Sequence, residues 1–168
     1  MKLKPILFIM ALGVAVTSGA AWASGAHAGG HGDDVAIGKP GVATKVNRTI
    51  NVDMTDAMRF TPANFAARQN ETIRFVIRNS GKLKHEFVLG TEKELKEHYE
   101  VMKKNPEMEH ADPNMVTVAP GKTGEVVWQF TKAGKVSVGC LQPGHYDAGM
   151  KGRVTVSRLA SKKDDHKH

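Results

Sequence analysis

The stretch Gly139-Cys140-Leu141-Gln142-Pro143-Gly144-His145-Tyr146-Asp147-Ala148-Gly149-Met150 contains the single cysteine of this chain. A histidine and then a methionine follow that cysteine at intervals of five residues. Because sulfur and imidazole are soft donors, a thiolate, an imidazole and a thioether on one short loop favour copper over hard cations. A second histidine is still needed, and His85, in the run Lys84-His85-Glu86-Phe87-Val88-Leu89, is the candidate.

This donor set predicts a role for each of four residues. Two imidazoles and a thiolate in a near-trigonal plane, with a weak axial thioether, suit both Cu(I) and Cu(II). We therefore expect Cys140 to be the thiolate ligand, His85 and His145 the imidazole ligands, and Met150 the long axial ligand. Zinc is the alternative metal, although structural zinc prefers cysteine and histidine to methionine. The alternative without a metal is a buried cysteine beside unrelated histidines.

Short runs with alternating apolar and polar residues surround this loop. The clearest is 72–78, and the same period of two recurs in 49–54, 125–130, 135–140 and 151–156. Turn-forming residues such as Asn79-Ser80-Gly81 and Pro120-Gly121 separate these runs. The pattern predicts an all-β fold, a Greek-key antiparallel β-sandwich.

The phase of the strands predicts where the ligands point. Val136 and Val138 should face the core, and Cys140 shares their phase. His85 lies on a strand at the same end of the sandwich, so we expect a metal held there to tie the two sheets together. His145 follows Pro143-Gly144 at the loop apex and should be the ligand nearest the surface.

One segment, at about 91–115, interrupts the strand pattern. Thr91, with Glu94 three residues later, is typical of a capping box, and 91–104 is rich in helix formers. We therefore expect one short helical insert in the sandwich. Its thioethers and imidazoles could form a second, softer Cu(I) site. The alternative is that Met102 packs against the sandwich and the other residues lie in a loop. The residues concerned are His98, Met102, Met108, His110 and Met115.

Residues 1–23 are typical of a secretory signal peptide. Lys2 and Lys4 precede the apolar run 6–16, and Ala21-Trp22-Ala23 offers a cleavage site. The run is shorter than the roughly 20 residues that span a bilayer, and no cysteine at the cleavage site offers a lipid attachment. We therefore expect an exported periplasmic protein without a membrane anchor.

The charge of the chain argues against a nucleic-acid partner. Removal of the signal peptide takes away two lysines and no acids, which lowers the net charge of +7 by two, to +5. The remaining basic residues are spread along the sequence and form no dense run interleaved with aromatics.

The rest of the chain divides into three predicted parts. Residues 24–41, rich in Gly and Ala, form a flexible arm, 42–157 form the domain, and 158–168 form a disordered charged tail. His27 and His31 of the arm could capture copper near the N-terminus of the mature chain. The alternative is a spacer with incidental histidines.

From about residue 42 to 156 the sequence resembles the cupredoxins, the blue-copper family. The resemblance is carried by Phe60-Thr61-Pro62, the strand 72–78, Lys84-His85-Glu86-Phe87 and the loop 140–150. It is strongest to periplasmic copper-tolerance members, which combine this site with an insert containing Met and His and a His-bearing arm. Glu86 stands where azurin-like members commonly carry an Asn that braces the cysteine loop, so a different brace is expected here.

The resemblance and the additional Met and His residues predict copper handling. The protein would hold one redox-active type 1 copper, and additional copper at the extra residues, to bind, buffer or oxidise excess metal. The alternative is a soluble electron carrier between periplasmic redox partners, which would need only the four-ligand site and an apolar patch around His145. An enzyme such as a cuprous oxidase is disfavoured, because four ligands leave no open position for a substrate.

Overall fold

The structure is a computed structural model that describes residues 37–109 and 111–159. The predicted signal peptide, His27 and His31 of the arm, His110 of the insert and the tail from residue 160 lie outside the described residues. Within the described residues no helix has the length and apolar character needed to cross a bilayer.

The strands form two five-stranded sheets, and the predicted β-sandwich is confirmed. One sheet has the order β1-β8-β5-β2-β3 and the other has the order β4-β10-β9-β6-β7. The elements are β1 (Lys39–Pro40), a 3-10 helix (Ala43–Lys45), β2 (Arg48–Thr55), β3 (Arg59–Thr61), β4 (Asn64–Arg68), β5 (Thr72–Asn79), β6 (His85–Gly90), α1 (Glu92–Lys104), β7 (Met115–Val118), β8 (Thr123–Gln129), β9 (Gly134–Gly139) and β10 (Lys151–Ser157).

Each sheet also contains one parallel pair, which the prediction of an antiparallel sandwich did not include. Strand β2 runs parallel to β5, and β10 runs parallel to β4. The other pairings are antiparallel. A period of two shows which face a side chain occupies, and that period is the same in both kinds of pair, so the sequence pattern does not indicate strand direction.

The core lies between the two sheets and follows the predicted alternation. Ile73, Phe75 and Ile77 of β5 are fully buried, as is Phe87 of β6 in the facing sheet. The rings of Phe75 and Phe87 lie 5.2 Å apart between centroids. Burial of each such side chain contributes about 1.5–3 kcal/mol, so this packing fixes how the sheets face one another.

The register defines two ends of the sandwich. Strand β6 begins, β9 ends and β10 begins at one end, which we call the ligand end. Strand β8 starts at the ligand end opposite Arg78, and at its other extremity Gln129 pairs with Lys39 of β1. Strand β10 runs away from the ligand end to Ser157. The chain therefore enters and leaves the sandwich at the end opposite the ligands.

The last residues of the predicted arm pack on the sandwich. Ile37 is buried, and its carbonyl accepts a hydrogen bond of 2.9 Å from the indole N–H of Trp128. Two residues later the chain pairs with β8 as β1. An isolated Ile in a Gly-rich stretch has no periodic pattern, so only the tertiary contact to Trp128 reveals its place.

Helix α1 begins where the sequence predicts. The side chain of Thr91 accepts a hydrogen bond from the backbone N–H of Glu94, and the Glu94 carboxylate accepts one from the backbone N–H of Thr91. This reciprocal capping box satisfies two of the free N–H groups at the helix start. The buried face of α1 packs into a second, smaller core, which we call the satellite core: Val88, Leu95, Tyr99, Met102, Met115, Leu141 and Tyr146.

Candidate metal centre

Three soft donors converge at the ligand end of the sandwich. The Nδ1 atoms of His85 and His145 lie 3.1 Å apart, and Cys140 Sγ lies 3.3 Å from His145 Nδ1 and 4.0 Å from His85 Nδ1. A circle through these three atoms has a radius of about 2.05 Å, close to the roughly 2.0–2.3 Å of metal–nitrogen and metal–sulfur bonds. A metal in the plane of the three donors would thus reach all of them without a change in the fold.

The loop between β9 and β10 supplies two of these donors and the predicted axial one. Gly139 pairs with Lys151, and the Cys140 N–H donates to the Met150 carbonyl at 3.1 Å, so the ends of the loop are closed. The Met150 N–H donates to the His145 carbonyl at 3.0 Å. Met150 is fully buried in the same core cluster as Cys140. The four predicted ligands therefore lie near one another.

His85 comes from the sheet that also holds the ligand loop. Strand β6 pairs with β9 through Val88 and Gly139, which places His85 three residues further, level with the loop. The expectation that the ligands would join the two sheets through the metal is therefore wrong. At the metal centre, a contact to the other sheet is made by Asp56, in the turn between β2 and β3, whose Oδ1 lies 3.1 Å from His85 Nε2.

The apolar surroundings of Cys140 disfavour its ionised form. Burial raises the pKa of the Cys140 thiol to about 12, and the nearby Glu86 charge acts in the same direction. The backbone N–H of Glu86 donates to Cys140 Sγ at 3.3 Å, which opposes this shift by stabilising the thiolate. A metal ion must therefore displace the thiol proton, and the thiolate then has a hydrogen-bond donor ready.

His145 is the predicted ligand most accessible to solvent. It is partly exposed, whereas His85, Cys140 and Met150 are fully buried. Burial of part of the ring, and then the neighbouring His85, lower the pKa of His145. The imidazole is thus neutral at pH 7, with a lone pair free for a metal.

A buried pair of polar side chains braces the cysteine loop. The amide of Gln142 donates to Oε1 of Glu86 at 2.5 Å, and the Thr117 hydroxyl donates to the same oxygen at 3.3 Å. Both Glu86 and Gln142 are buried. A brace other than the Asn of azurin-like members is expected from the sequence, and the hydrogen bond between Glu86 and Gln142 is such a brace.

Helix α1 contacts the ligand loop through Tyr99. Its hydroxyl donates to Asp147 Oδ2 at 2.9 Å and accepts from the Gly144 N–H at 2.9 Å. The two contacts lie on either side of His145 in the sequence. The Tyr99 ring also lies 5.3 Å from that of Tyr146. The insert therefore packs directly on the segment that carries an imidazole donor.

The structure separates the residues predicted for a second copper site. Met102 lies in the satellite core, as the packing alternative expects. Met115 lies in the same core, at the start of β7 and not in a loop, whereas Met108 is 42% exposed. His98 is partly exposed on α1, and His110 lies outside the described residues. Among the His, Cys, Asp and Glu of the described residues, the group with metal-binding spacing is His85, Cys140 and His145.

Sequence reasoning missed Asp56 and gave no function to Tyr99. Asp56 lies in a turn, where an aspartate is common for its own local hydrogen bonds, so it carries no signal of its own. In the sequence Tyr99 falls at helical spacing on one side with Leu95 and Met102, but its bond to the loop depends on how α1 packs. Only the 3.1 Å contact to His85 and the 2.9 Å contacts to the loop identify them.

Comparison with known proteins agrees with this geometry. Residues 46–157 match the family model described as copper binding proteins of the plastocyanin/azurin family. The copper-resistant cuproprotein CopI of Rubrivivax gelatinosus is 53% identical over 133 residues, which cover 78% of this chain and 81% of that protein. The copper-resistant cuproprotein CopI of Pseudomonas aeruginosa is 37% identical over 150 residues, covering 72% of this chain and 82% of that protein.

Solved structures show the same fold. The dithionite-reduced auracyanin of Roseiflexus castenholzii superposes with a TM-score of 0.57 at 21% identity, covering 67% of this chain and 98% of that one. At this identity the match supports the architecture alone. The family model and the CopI relatives, together with this architecture, confirm the cupredoxin resemblance expected from the sequence.

Proposed function

This chain belongs to the plastocyanin/azurin family of copper-binding proteins, and on that premise we propose that His85, Cys140, His145 and Met150 hold one type 1 copper. The observation that carries the proposal is the donor triangle, whose atoms lie 3.1–4.0 Å apart around a point about 2.05 Å from each. Copper bound there supplies one-electron transfer between Cu(I) and Cu(II).

The chain's own residues keep the donors in place for both oxidation states. The closed loop fixes the backbones of Cys140 and Met150. Glu86 of β6 braces this loop through its hydrogen bond with Gln142, and Tyr99 of α1 holds it through Gly144. Because these contacts come from buried or packed groups, little rearrangement is needed when the charge on the site changes. With four donors from the protein, no position is left for a substrate, which supports a role other than catalysis.

We propose that the cellular role is copper tolerance in the periplasm. The CopI relatives, named as copper-resistant cuproproteins, support tolerance, and the signal-peptide pattern of residues 1–23 supports export. His27, His31, His98, Met108 and His110 remain candidates for additional copper, with copper-handling proteins as possible partners.

Electron transfer to a periplasmic redox partner is the second candidate. The observation that favours it is the partial exposure of His145 at the loop apex, beside the exposed Pro143 and Gly144. A ligand at the surface shortens the path to a partner.

The first experiment counts copper. The mature protein and a Cys140→Ala variant are titrated with Cu(I) against a competing chelator, and the Cu(II) forms are examined for the intense thiolate-to-copper absorption. We expect at least one tight equivalent and a strong visible band in the parent protein, with the band absent from the variant. A band that persists in Cys140→Ala would refute the ligand assignment.

The number of equivalents separates the two cellular roles. More than one tight equivalent, with the excess reduced in a Met108→Leu variant, supports copper handling. A single equivalent lost with Cys140, together with unchanged copper tolerance of cells that carry Met108→Leu, favours the electron carrier. Met108 suits this test because its side chain is exposed, so the substitution leaves both cores intact.

A further inference from the structure

The two ring nitrogens of His85 face different partners. Nδ1 points to the donor triangle, 3.1 Å from His145 Nδ1 and 4.0 Å from Cys140 Sγ. Nε2 lies 3.1 Å from Asp56 Oδ1 on the other side of the ring. An ionised carboxylate has no proton to give, so Nε2 carries the hydrogen and donates it to Asp56. This leaves the lone pair of Nδ1 for the metal.

Asp56 is itself held in position by the loop that leads into β6. Its carboxylate accepts hydrogen bonds from the backbone N–H groups of Lys82 at 2.7 Å and Leu83 at 3.2 Å. A Cβ on Gly81 would lie only 2.1 Å from Asp56 Oδ1, so the glycine leaves the space that the carboxylate occupies.

The other side of this loop is anchored by Asn79. Its side-chain amide donates to the carbonyls of Leu83 at 2.7 Å and Val118 at 2.9 Å, and its carbonyl oxygen accepts from the Gly81 N–H at 2.9 Å. The residue is fully buried. The Asp56 side chain is 36% exposed, but its carboxylate meets His85 while held by two backbone N–H groups of a turn that the buried Asn79 anchors.

A carboxylate behind a ligating imidazole changes the electronics of a metal site. It fixes the ring orientation and makes the imidazole a stronger donor. It also places a full negative charge near the metal, where a backbone carbonyl would place a neutral acceptor. Both effects favour the ion with the higher positive charge, which for copper is Cu(II).

We propose that Asp56 is the positioning residue of the metal centre: it fixes His85 with Nδ1 toward copper and biases the site toward Cu(II). The inference rests on the proposed function, because it assumes that copper occupies the donor triangle. It also gives the sheet of β2 and β3 a part in the site, although that sheet supplies none of the four proposed ligands.

The test compares Asp56→Asn with the parent protein. Asparagine keeps an oxygen acceptor for the backbone N–H groups and removes the charge. We expect Cu(II) affinity to fall about tenfold or more, in the range typical for second partners of metal ligands, with a smaller loss of Cu(I) affinity. A tenfold change in the ratio of the two affinities raises a one-electron potential by about 59 mV.

Asp53→Asn is the matched control. Asp53 lies on β2, three residues before Asp56, and accepts a hydrogen bond from Ser80 of the same loop, but no hydrogen bond joins it to His85. Its substitution removes the same unit of charge and should leave the ratio of affinities nearly unchanged. If both variants shift the ratio equally, or if Asp56→Asn lowers both affinities by the same factor, the positioning role is refuted.

The parent protein provides the control for the premise. If it binds no copper with a visible thiolate band, the proposed function fails before Asp56 is tested. If the band is present and Asp56→Asn keeps the parental potential, only the inference about Asp56 fails. The Cu(I) form of the parent allows a further test by NMR, which does not depend on how the variant folds. A His85 Nε2–H resonance protected from exchange is expected, and its absence would overturn the inference.

Discussion

Cys140 shows how a single residue couples burial to metal chemistry. Its side chain is fully buried, and the charged thiolate is therefore poorly solvated until a cation compensates it. The same burial protects the sulfur from solvent. The residue is thus inert as a free thiol and becomes a strong ligand only when its proton leaves.

The raised pKa of Cys140 predicts an unusual pH dependence of copper affinity. Copper displaces the thiol proton, so apparent affinity should rise about tenfold per pH unit for as long as the metal-free thiol is protonated. With a pKa of about 12, this rise continues from pH 8 past pH 10, whereas an ordinary thiol of pKa 9.0 would level off. Copper competition titrations over this range measure the slope. A plateau near pH 9 would contradict the prediction.

The protonation of His145 determines the lowest pH at which copper binding releases only the proton of Cys140. Its pKa is lowered by burial and by His85, so the neutral ring requires no second proton release above pH 7. We expect the slope to remain one proton per copper between pH 7 and 8. A slope of two would contradict the lowered pKa of His145.

The four ligands could be predicted at the scale of residues because they follow from spacing and donor type. Cys140, His145 and Met150 lie on one loop, and His85 begins a short run that contains Phe87, Val88 and Leu89. Asp56 could not be predicted in this way. Its role depends on a contact between residues 29 positions apart in sequence, which only the folded turn at Gly81 brings about.

The existence of helix α1 could be predicted from the sequence, whereas its contact with the ligand loop could not. Its capping box and apolar spacing could be predicted from local sequence, because both are properties of consecutive turns. Its contact with the ligand loop could not, because that requires the placement of Tyr99 against Gly144 and Asp147. The thioethers of Met102 and Met115 are found in the satellite core. The sequence allowed this packing for Met102, without favouring it over a metal site, but indicated a loop for Met115.

Tyr99→Phe tests whether the helix holds the loop. The substitution keeps the ring in the satellite core and removes both hydrogen bonds of the hydroxyl, which leaves the Gly144 N–H without its partner. Because Gly144 and Asp147 are exposed and can bond water instead, we expect a loss of about 0.5–1.5 kcal/mol in the free energy of unfolding. Hydrogen exchange at Gly144 and copper release should both become faster.

Tyr146→Phe is the matched control for this test, because it removes a hydroxyl from the neighbouring ring. Denaturant titration, amide exchange and stopped-flow chelator competition measure the three quantities. Equal behaviour of the two variants would mean that Tyr99 contributes packing alone.

At the scale of the whole molecule, the proposed copper connects β6 to the loop between β9 and β10 and stabilises only the folded chain. A ligand present at about 1,000 times its Kd adds about 4 kcal/mol to stability. For a domain of this size such a gain raises Tm by about 10 °C or more. Calorimetry of the metal-free and copper-loaded protein measures the shift, and Cys140→Ala should show most of it lost. An unchanged Tm in the parent protein would exclude tight binding to the native state.

The sandwich itself could largely be predicted because alternating runs show which residues face the core. Strand β5 illustrates this, since Ile73, Phe75 and Ile77 are all fully buried as expected. The parallel pairs could not be predicted. Strand β4 is five residues long and joins β10 through partners such as Phe65 and Val154, 89 positions apart, so its pairing is decided by the completed sheet.

The entry of the chain at Ile37 and its departure after Ser157, both opposite the ligand end, determine how this protein can be attached to a solid support. A linker joined directly before Ile37 or after Ser157 would direct the ligand end away from the support, with the partly exposed His145 facing the solution. Immobilised on an electrode through either of these points, the proposed copper centre would therefore exchange electrons slowly with the metal surface and readily with a soluble mediator.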